Sequence, residues 1–504
     1  MNRPAWLKDA VFYEIYPSSF YDSNGDGVGD INGIRAKLPY VKDLGCNALW
    51  LNPCFDSPFK DGGYDVRDYK RVAPRYGTNE DLFALFEEAH ALGIRVLLDL
   101  VPGHTSEEHP WFLKSGQAEK NEYSDRYIWT DFWIKGTPGH PYIGGETPRN
   151  GTYMLNFFKC QPALNYGWAQ VTEPWQTPLD APAAQATRNA MADIMHFWLS
   201  HGCDGFRVDM ANSLIKGDDD NKSHTSALWK GLLGELRAEF PESAYVAEWG
   251  WPQQALCLAD FDMDFYLDHE GNGYNRLVRS PDAYLKGNDP MAFVTDYLKR
   301  YEASRDFGYI SFITGNHDTP RISHYLTERQ LPLAYALLFT LPGVPFLYYG
   351  DEIGMRYLKN LPTKEGGYTR TGSRTPMQWT TGRNLGFSDA KAESLYLPVD
   401  SAKDAPTVSR QKRAHDSLWK DVRAILNLRH RFPDLQADGG FEVLHAQKGD
   451  PLFVYRRGRL TLAVNPSDQN VSMDLPDLAL VYLQGQLFLK PGALGPCSFA
   501  VWAK

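Results

Sequence analysis

Residues 186–210 read ATRNAMADIMHFWLSHGCDGFRVDM. The first seventeen, 186–202, place apolar side chains at helical spacing and end at a glycine. The last six, GFRVDM (205–210), form a short apolar run of strand type. A helix feeding directly into a strand is half of a βαβ repeat, and the pattern recurs along the chain. Further strand-like runs are VFYEIY (11–16), NALWLN (47–52), IRVLLDLV (94–101), AYVAE (244–248), FDMDFY (261–266), YISFIT (309–314) and VPFLYY (344–349). Between most of them lie amphipathic stretches such as NEDLFALFEEAHALG (79–93), apolar at i, i+3, i+4 and i+7. Eight strands alternating with helices predict an α/β fold, either a (β/α)₈ barrel or a doubly wound sheet.

Two regions break the alternation. Residues 105–178 follow the third strand and are rich in Pro, Gly and aromatics, with little helical period. That is too long for an ordinary βα loop and predicts an inserted lobe. From residue 436 the chain turns to short alternating segments (FVYRRG, LTLAVNP, VSMDLP, ALVYL), which predict a small antiparallel β domain. The expected division is therefore 1–104 with 179–435, then 105–178 as the lobe, and 436–504 as the last domain.

Composition narrows the function. The chain has 504 residues and a net charge of −10, with no Lys/Arg-rich run, which argues against nucleic acid as a partner. No stretch of 18 apolar residues predicts a membrane span. The first twenty residues lack a charged and then apolar leader pattern, so a cytoplasmic location is expected. The six cysteines form no CxxC or Cys/His spacing and are expected to be reduced thiols. Fourteen Trp and 28 Tyr supply flat faces that suit sugars or bases.

Residues 22–33 read DSNGDGVGDING. Asp22, Asn24, Asp26, the Val28 carbonyl and Asp30 stand at the first, third, fifth, seventh and ninth positions of a calcium-loop pattern, with Gly27 at the sixth. The twelfth position is Gly33, which has no side chain to donate. A structural Ca²⁺ or Mg²⁺ loop is expected rather than a switch; the alternative is an Asp/Asn/Gly turn without metal.

In a barrel the chemistry gathers where strands finish. Strand four places Arg207 and Asp209 two apart on one face. Strand five ends at Glu248, strand seven runs into TGNHDTPR with His317 and Asp318, and strand three offers Asp99 and His104. One Asp at a strand end is usually a helix N-cap. Several strands all ending in ionisable residues exceed what capping requires, and clustered like charges cost stability unless a site uses them. Glycoside cleavage wants this set: an ionised carboxylate to attack, a protonated one to donate, and an Arg to hold the first ionised.

The chain resembles the α-amylase family of retaining glycoside hydrolases (glycoside hydrolase family 13), nearest its oligo-1,6-glucosidase, α-glucosidase and trehalose synthase members. The motifs VFYEIYPSSFYDSNGDGVGDINGI, DGGYDVRDY, DLVPGHTS, QPALNY, DGFRVDM, AEW, GNHD and SRTPMQW occur in that family's order over essentially the whole chain. The resemblance implies a TIM barrel with an inserted lobe after strand three and a C-terminal antiparallel β-sandwich. It implies Asp209 as nucleophile, Glu248 as general acid/base, Asp318 as transition-state stabiliser and Arg207 as the residue orienting the nucleophile. His104 and His317 match histidines that hold sugar hydroxyls. Asp61 and Tyr64 match a hydroxyl-binding Asp and a stacking Tyr, and Arg374 matches an arginine that pairs with that Asp in exo-acting members. The 22–30 loop corresponds to a structural Ca²⁺ or Mg²⁺ site; no organic cofactor is implied.

The implied activity is an exo-acting α-glucosidase on short α-glucosides or oligosaccharides, as a monomer or small homo-oligomer. A glucosyl transferase or isomerase uses the same intermediate and is the alternative. An endo-acting amylase is opposed by the expected Asp61–Arg374 pair, and a non-catalytic transporter-subunit relative by the intact carboxylates. Three positions depart from the family: Gly103 replaces an Asn that helps hold a second calcium in many amylases, Ala163 stands in an Asp place, and Met210-Ala211 follow the nucleophile where 1,6-cleaving members tend to have Val. Linkage stays open between 1,4, 1,6 and less usual forms.

Overall fold

A computed structural model describes residues 3–132, 136–266 and 273–504; residues 133–135 of the expected lobe, and 1–2 and 267–272 of the expected barrel, lie outside these. Each of the eight expected runs contains a strand: β1 Phe12–Ile15, β2 Ala48–Leu51, β3 Arg95–Leu100, β4 Gly205–Val208, β5 Ala244–Ala247, β6 Met263–Phe265, β7 Tyr309–Ser311 and β8 Phe346–Tyr348. They pair in parallel in the order β7-β6-β5-β4-β3-β2-β1-β8. Backbone bonds from Phe346 N–H to the Phe312 carbonyl (2.8 Å) and from Thr314 N–H to the Phe346 carbonyl (3.0 Å) join the two ends. Closure rules out the doubly wound sheet. With side chains filling the barrel inside and helices outside, both strand faces are covered, which is why these strands read as continuous apolar runs.

The helices follow from local chemistry. Helix α1 (Ile31–Leu44) starts at Asp30, whose carboxylate accepts from Gly33 N–H, and stops at Gly45 with φ of 110°. Helix α2 (Asn79–Ala91) opens on a capping box: Thr78 accepts from Asp81 N–H and Asp81 accepts from Thr78 N–H. Helix α3 (Pro182–Ser200) turns Met191, Ile194, Met195, Trp198 and Leu199 inward at spacings of three and four. The Trp198 indole donates to the Tyr69 carbonyl at 2.7 Å. Helices α4 (Ser223–Glu239), α5 (Met291–Ser304) and α6 (Leu331–Thr340) continue the ring, and α7 (Leu418–Arg431) packs on α6 and α1. No helix among the described residues is long and apolar enough to cross a membrane, and all six cysteines are free.

Between β3 and α3 lies a three-stranded antiparallel sheet, Trp129–Thr130, Tyr142–Gly144 and Thr152–Met154, with the last strand central. An antiparallel bridge between His104 and Ala163 lays the QPALNY segment against the end of β3. Beyond α7, strands β9 (Glu442–Gln447), β10 (Asp450–Arg457), β11 (Leu460–Asn465), β12 (Ala479–Gln484) and β13 (Ser498–Ala503) form an antiparallel sheet in the order β9-β10-β11-β13-β12. A second, three-stranded sheet covers one face, making a sandwich. Period-two alternation divides the residues: Leu452, Val454, Ala463, Ala500 and Trp502 fill the sandwich, whereas Phe453, Tyr455, Leu462, Val464, Phe499 and Val501 join the main core with the barrel.

Candidate active site

Asp99 on β3 and Arg207 on β4 are register partners, so their side chains leave the sheet side by side. Arg207 is only 1% exposed. Its Nη1 donates to Asp99 Oδ1 at 2.9 Å and to Asp209 Oδ1 at 3.0 Å, while its Nη2 lies 2.7 Å from Glu248 Oε2. Asp209 and Glu248 each follow directly on a barrel strand. Met210, between β4 and the next turn, sits in the left-handed region with φ of 42°. That conformation is costly for a residue with a side chain. Here it goes with a second bond to the acid, from Met210 N–H to Glu248 Oε2 at 3.0 Å.

One guanidinium therefore faces three carboxyl groups. Burial raises Asp209 well above the usual range, the Glu248 charge adds to this, and Arg207 opposes both. Burial lifts Asp99 to about 6 despite Arg207. Asp209 and Asp99 lie close enough to raise one another, so a proton taken up here belongs to the cluster rather than to one residue.

Asp318 stands opposite in a cationic setting. Arg370 Nη1 and Arg374 Nη2 each donate to its Oδ1 at 2.9 Å, and His317 Nε2 is 3.3 Å from Oδ2. Burial would raise this carboxyl, but the Nε2–H of His317 facing it and the two arginines outweigh burial and hold it well below the usual range.

The expected Asp61–Arg374 pair does not form. Arg370 makes it instead, with Nη2 donating to Asp61 Oδ1 at 3.0 Å, and Gln161 Nε2 donates to Asp61 Oδ2 at 2.8 Å. Arg374 lies behind the wall, 1% exposed, its Nε on the His317 carbonyl at 2.9 Å. The two arginines are one short helical turn apart on Tyr368–Ser373 and its end, and the turn gives the cavity to the earlier one.

The histidines also sit differently from the expectation. His317 is fully buried and reaches no cavity surface; it stacks on Tyr64 with ring centres 5.3 Å apart, and its Nε2 is 2.6 Å from Tyr64 Oη. His104 lines the cavity, but both ring nitrogens are engaged, Nε2 with the Tyr64 carbonyl (3.1 Å) and Nδ1 with Asn156 Nδ2 (2.8 Å). A carbonyl accepts, so Nε2 carries the proton and Nδ1 accepts from the amide. Burial lowers this imidazole to about 4, which keeps it neutral. The same Asn156 amide stands 3.1 Å from where a Cβ at Gly103 would lie, so a longer residue there would require this amide to shift.

A cavity of about 530 Å³ is bounded by Asp61, Tyr64, His104, Asp209, Glu248, Asp318 and Arg370, with Phe157, Phe158, Met210 and Tyr368 on its apolar side. The Phe158 and Tyr368 rings lie 5.9 Å apart. These aromatics face the opening, whereas Trp249 and Trp251, which follow Glu248, are not among its lining residues. Trp249 is 2% exposed and donates to Gln254, and Trp251 carries the Arg300 guanidinium 4.7 Å from its ring centre. Sequence reading passed over Arg370, Gln161, Phe157, Phe158 and Tyr368; the one signal for Arg370 was a second arginine four residues before the Arg374 of SRTPMQW.

The 22–30 loop is ordered by its own side chains. Asp22 accepts from the N–H groups of Asn24, Gly25 and Gly27 and from Ser388 Oγ; Asn24 accepts from Asp26 N–H and Asp26 from Val28 N–H. Asp30 accepts from Ser23 and caps α1. The donors are hard oxygens of the kind Ca²⁺ and Mg²⁺ take. Among the described residues, however, the group of three acids or imidazoles close enough together to hold an ion is Asp218, Asp219 and His224, and not this loop.

Comparison with known proteins agrees with this architecture. The alpha amylase catalytic domain model matches residues 14–438. The oligo-1,6-glucosidase of Heyndrickxia coagulans is 31% identical, the match covering 94% of each chain. The trehalose synthase/amylase TreS of Mycobacterium tuberculosis is 33% identical over 92% of this chain and 82% of its own. The solved alpha-glucosyl transfer enzyme XgtA superimposes with a TM-score of 0.82 at 27% identity, covering 99% of both chains. The barrel, the carboxylate cluster on its strand ends and these matches place the chain in the alpha-amylase family.

Proposed function

We propose that the chain is a retaining, exo-acting α-glucosidase that removes terminal α-linked glucose from short substrates. The observation that carries this reading is the grip of Arg207 on Asp209 and Glu248 with adjacent nitrogens of one guanidinium, at 3.0 and 2.7 Å. Such a grip favours the carboxyl spacing of about 5 Å used in double displacement over the roughly 6.5–9.5 Å that leaves room for a water in an inverting enzyme.

In this mechanism an Asp209 oxygen attacks the anomeric carbon while the Glu248 carboxyl gives its proton to the glycosidic oxygen, and the carbon–oxygen bond breaks. The Glu248 proton is the one the leaving group needs. Asp318, kept ionised by its arginines, balances the positive charge that develops on the sugar. Glu248, now a carboxylate, takes a proton from water as the water oxygen attacks the same carbon and frees Asp209. The Asp61–Arg370 pair closes one wall, which supports clipping of end units over cutting in mid-chain. His104 and Tyr64 line the pocket as sugar-contacting residues, while His317 and Arg374 support the wall from behind.

A second reading, transfer of the glucosyl unit to a sugar acceptor, is favoured by the apolar rings of Phe157, Phe158 and Tyr368 beside the acceptor space, because exclusion of water protects the intermediate. An NMR time course on maltose, isomaltose, sucrose, trehalose and maltoheptaose separates the two. Free glucose with loss of end units supports the glucosidase; a new disaccharide with little free glucose supports transfer.

We further propose that the 22–30 loop binds a structural Ca²⁺ or Mg²⁺ through Asp22, Asn24, Asp26, the Val28 carbonyl and Asp30, the side chains from Ser23 to Asp26 being exposed. No catalytic step passes through it.

A further inference from the structure

Glu14 is a carboxyl group on β1, inside the barrel, with no exposed surface. The mechanism above does not use it. Its Oε1 is 2.8 Å from His317 Nδ1, and its Oε2 is buried without a hydrogen-bond partner. The groups around it are His317, the Asn52 amide, whose Nδ2 is 3.0 Å from the same His317 Nδ1, and the more distant charges of Arg207 and Asp318. The question is where the protons sit along this line.

On its far side His317 presents Nε2 to Tyr64 Oη at 2.6 Å and to Asp318 Oδ2 at 3.3 Å. The Tyr64 hydroxyl in turn donates to Asp99 Oδ2 at 2.9 Å. A hydroxyl has one proton, so Tyr64 cannot donate both to Asp99 and to the imidazole. Nε2 must then carry a proton, which also suits the Asp318 oxygen facing it. Buried among arginines, His317 is held well below the usual histidine range and is neutral. Nδ1 is therefore bare, and an ionised Glu14 oxygen 2.8 Å from a bare nitrogen would repel it. A protonated Glu14 donating into Nδ1 removes that repulsion, with the Asn52 amide N–H sharing the same lone pair. Burial pushes Glu14 in that direction.

We infer that Glu14 is a positioning residue that acts as a neutral acid, donating to His317 Nδ1 and so fixing the Nε2–H tautomer that orders Tyr64, Asp99 and Asp318 in the sugar site. All the hydrogen bonds then run one way: from Glu14 to His317, from His317 to Tyr64, and from Tyr64 to Asp99. Asp99 ends the line beside Arg207, which holds the nucleophile. The inference rests on the glycosidase reading of the site, and the test keeps the two apart.

Two variants are compared with the wild type. E14Q keeps a neutral donor of the same shape; E14M keeps the volume and removes the donor. The expected result is E14Q within about threefold of wild-type kcat and E14M down about 10- to 100-fold in kcat with KM little changed. Nitrogen-15 NMR of histidine-labelled protein should show His317 as the Nε2–H tautomer in the wild type and in E14Q. Equal impairment of both variants would mean that the negative charge matters, and a fully active E14M would mean that the donor does not; either overturns the inference. If E14M does not fold, the wild-type tautomer decides, since Nδ1–H there contradicts the proposal. Wild-type protein that turns over no α-glucoside sinks the glycosidase reading and leaves the tautomer measurement as the test of Glu14.

Discussion

Arg370 and Asp61, 309 positions apart in sequence, meet at 3.0 Å and tie the turn after β8 to the loop after β2. The same guanidinium reaches Asp318, so one side chain joins two walls of the cavity. Replacing it with alanine should lower kcat/KM on disaccharides about 100-fold, equivalent to about 2.7 kcal/mol of transition-state binding. It should also release internal fragments from maltoheptaose. R374A should behave differently. That arginine is buried, and its loss leaves polar partners unpaired, so thermal stability should fall by the equivalent of about 3 kcal/mol. Kinetics and melting curves of the two variants check this division.

Asp209→Asn removes the attacking oxygen's charge and leaves the shape. Turnover should fall by about 10⁴-fold or more while a substrate still binds and the melting temperature holds or rises. Glu248→Gln should lose activity most severely on substrates with poor leaving groups, because its proton is what they lack. Steady-state kinetics on sugar and aryl leaving groups, with binding measured by calorimetry, tests both.

Glu352 gives a pH prediction away from the chemistry. It is fully buried, accepts from the hydroxyls of Tyr13 and Tyr40, and burial raises it to about 7. Between the ordinary Glu range near pH 4.5 and pH 7 the folded chain keeps this proton and the unfolded chain loses it. Stability therefore falls with rising pH across that window, by about 3 kcal/mol, and is flat in this contribution above it. Urea unfolding at pH 5 and pH 8 should show a smaller difference for E352Q than for the wild type. An equal difference contradicts the assignment.

Millimolar Ca²⁺ or Mg²⁺ should raise the melting temperature of the wild type, because an ion bound by the folded state stabilises it by mass action, about 2.7 kcal/mol at 100 times the dissociation constant. D26A should abolish the response without changing activity at saturating substrate. A wild-type melting temperature indifferent to both ions makes the loop an Asx-turn assembly without metal.

Parts of the molecule were legible in the sequence for a physical reason. A parallel strand covered on both faces is a short apolar run, as in NALWLN, and an acid at its end stands out against that run. Antiparallel β10 and β11 could be read because one face meets the barrel and the other the sandwich. Arg370 was hidden because its turn has no period, and the choice between two arginines four residues apart depends on a turn that sequence does not encode plainly. Gln161, Phe157 and Phe158 come from the lobe, whose contact with the barrel is long-range. Glu14 was hidden inside a strand, where a reading by hydrophobic pattern takes every residue as core.

The central claim is double displacement by Asp209 and Glu248, and stereochemistry tests it most directly. Proton NMR is recorded within the first minutes of hydrolysis of 4-nitrophenyl α-glucoside, whose glucose comes only from the unit bound beside Asp209. The account predicts α-glucose first, with the β anomer appearing later at the rate of mutarotation. If β-glucose is the first product, water attacks directly, and the roles given to the two carboxylates are wrong.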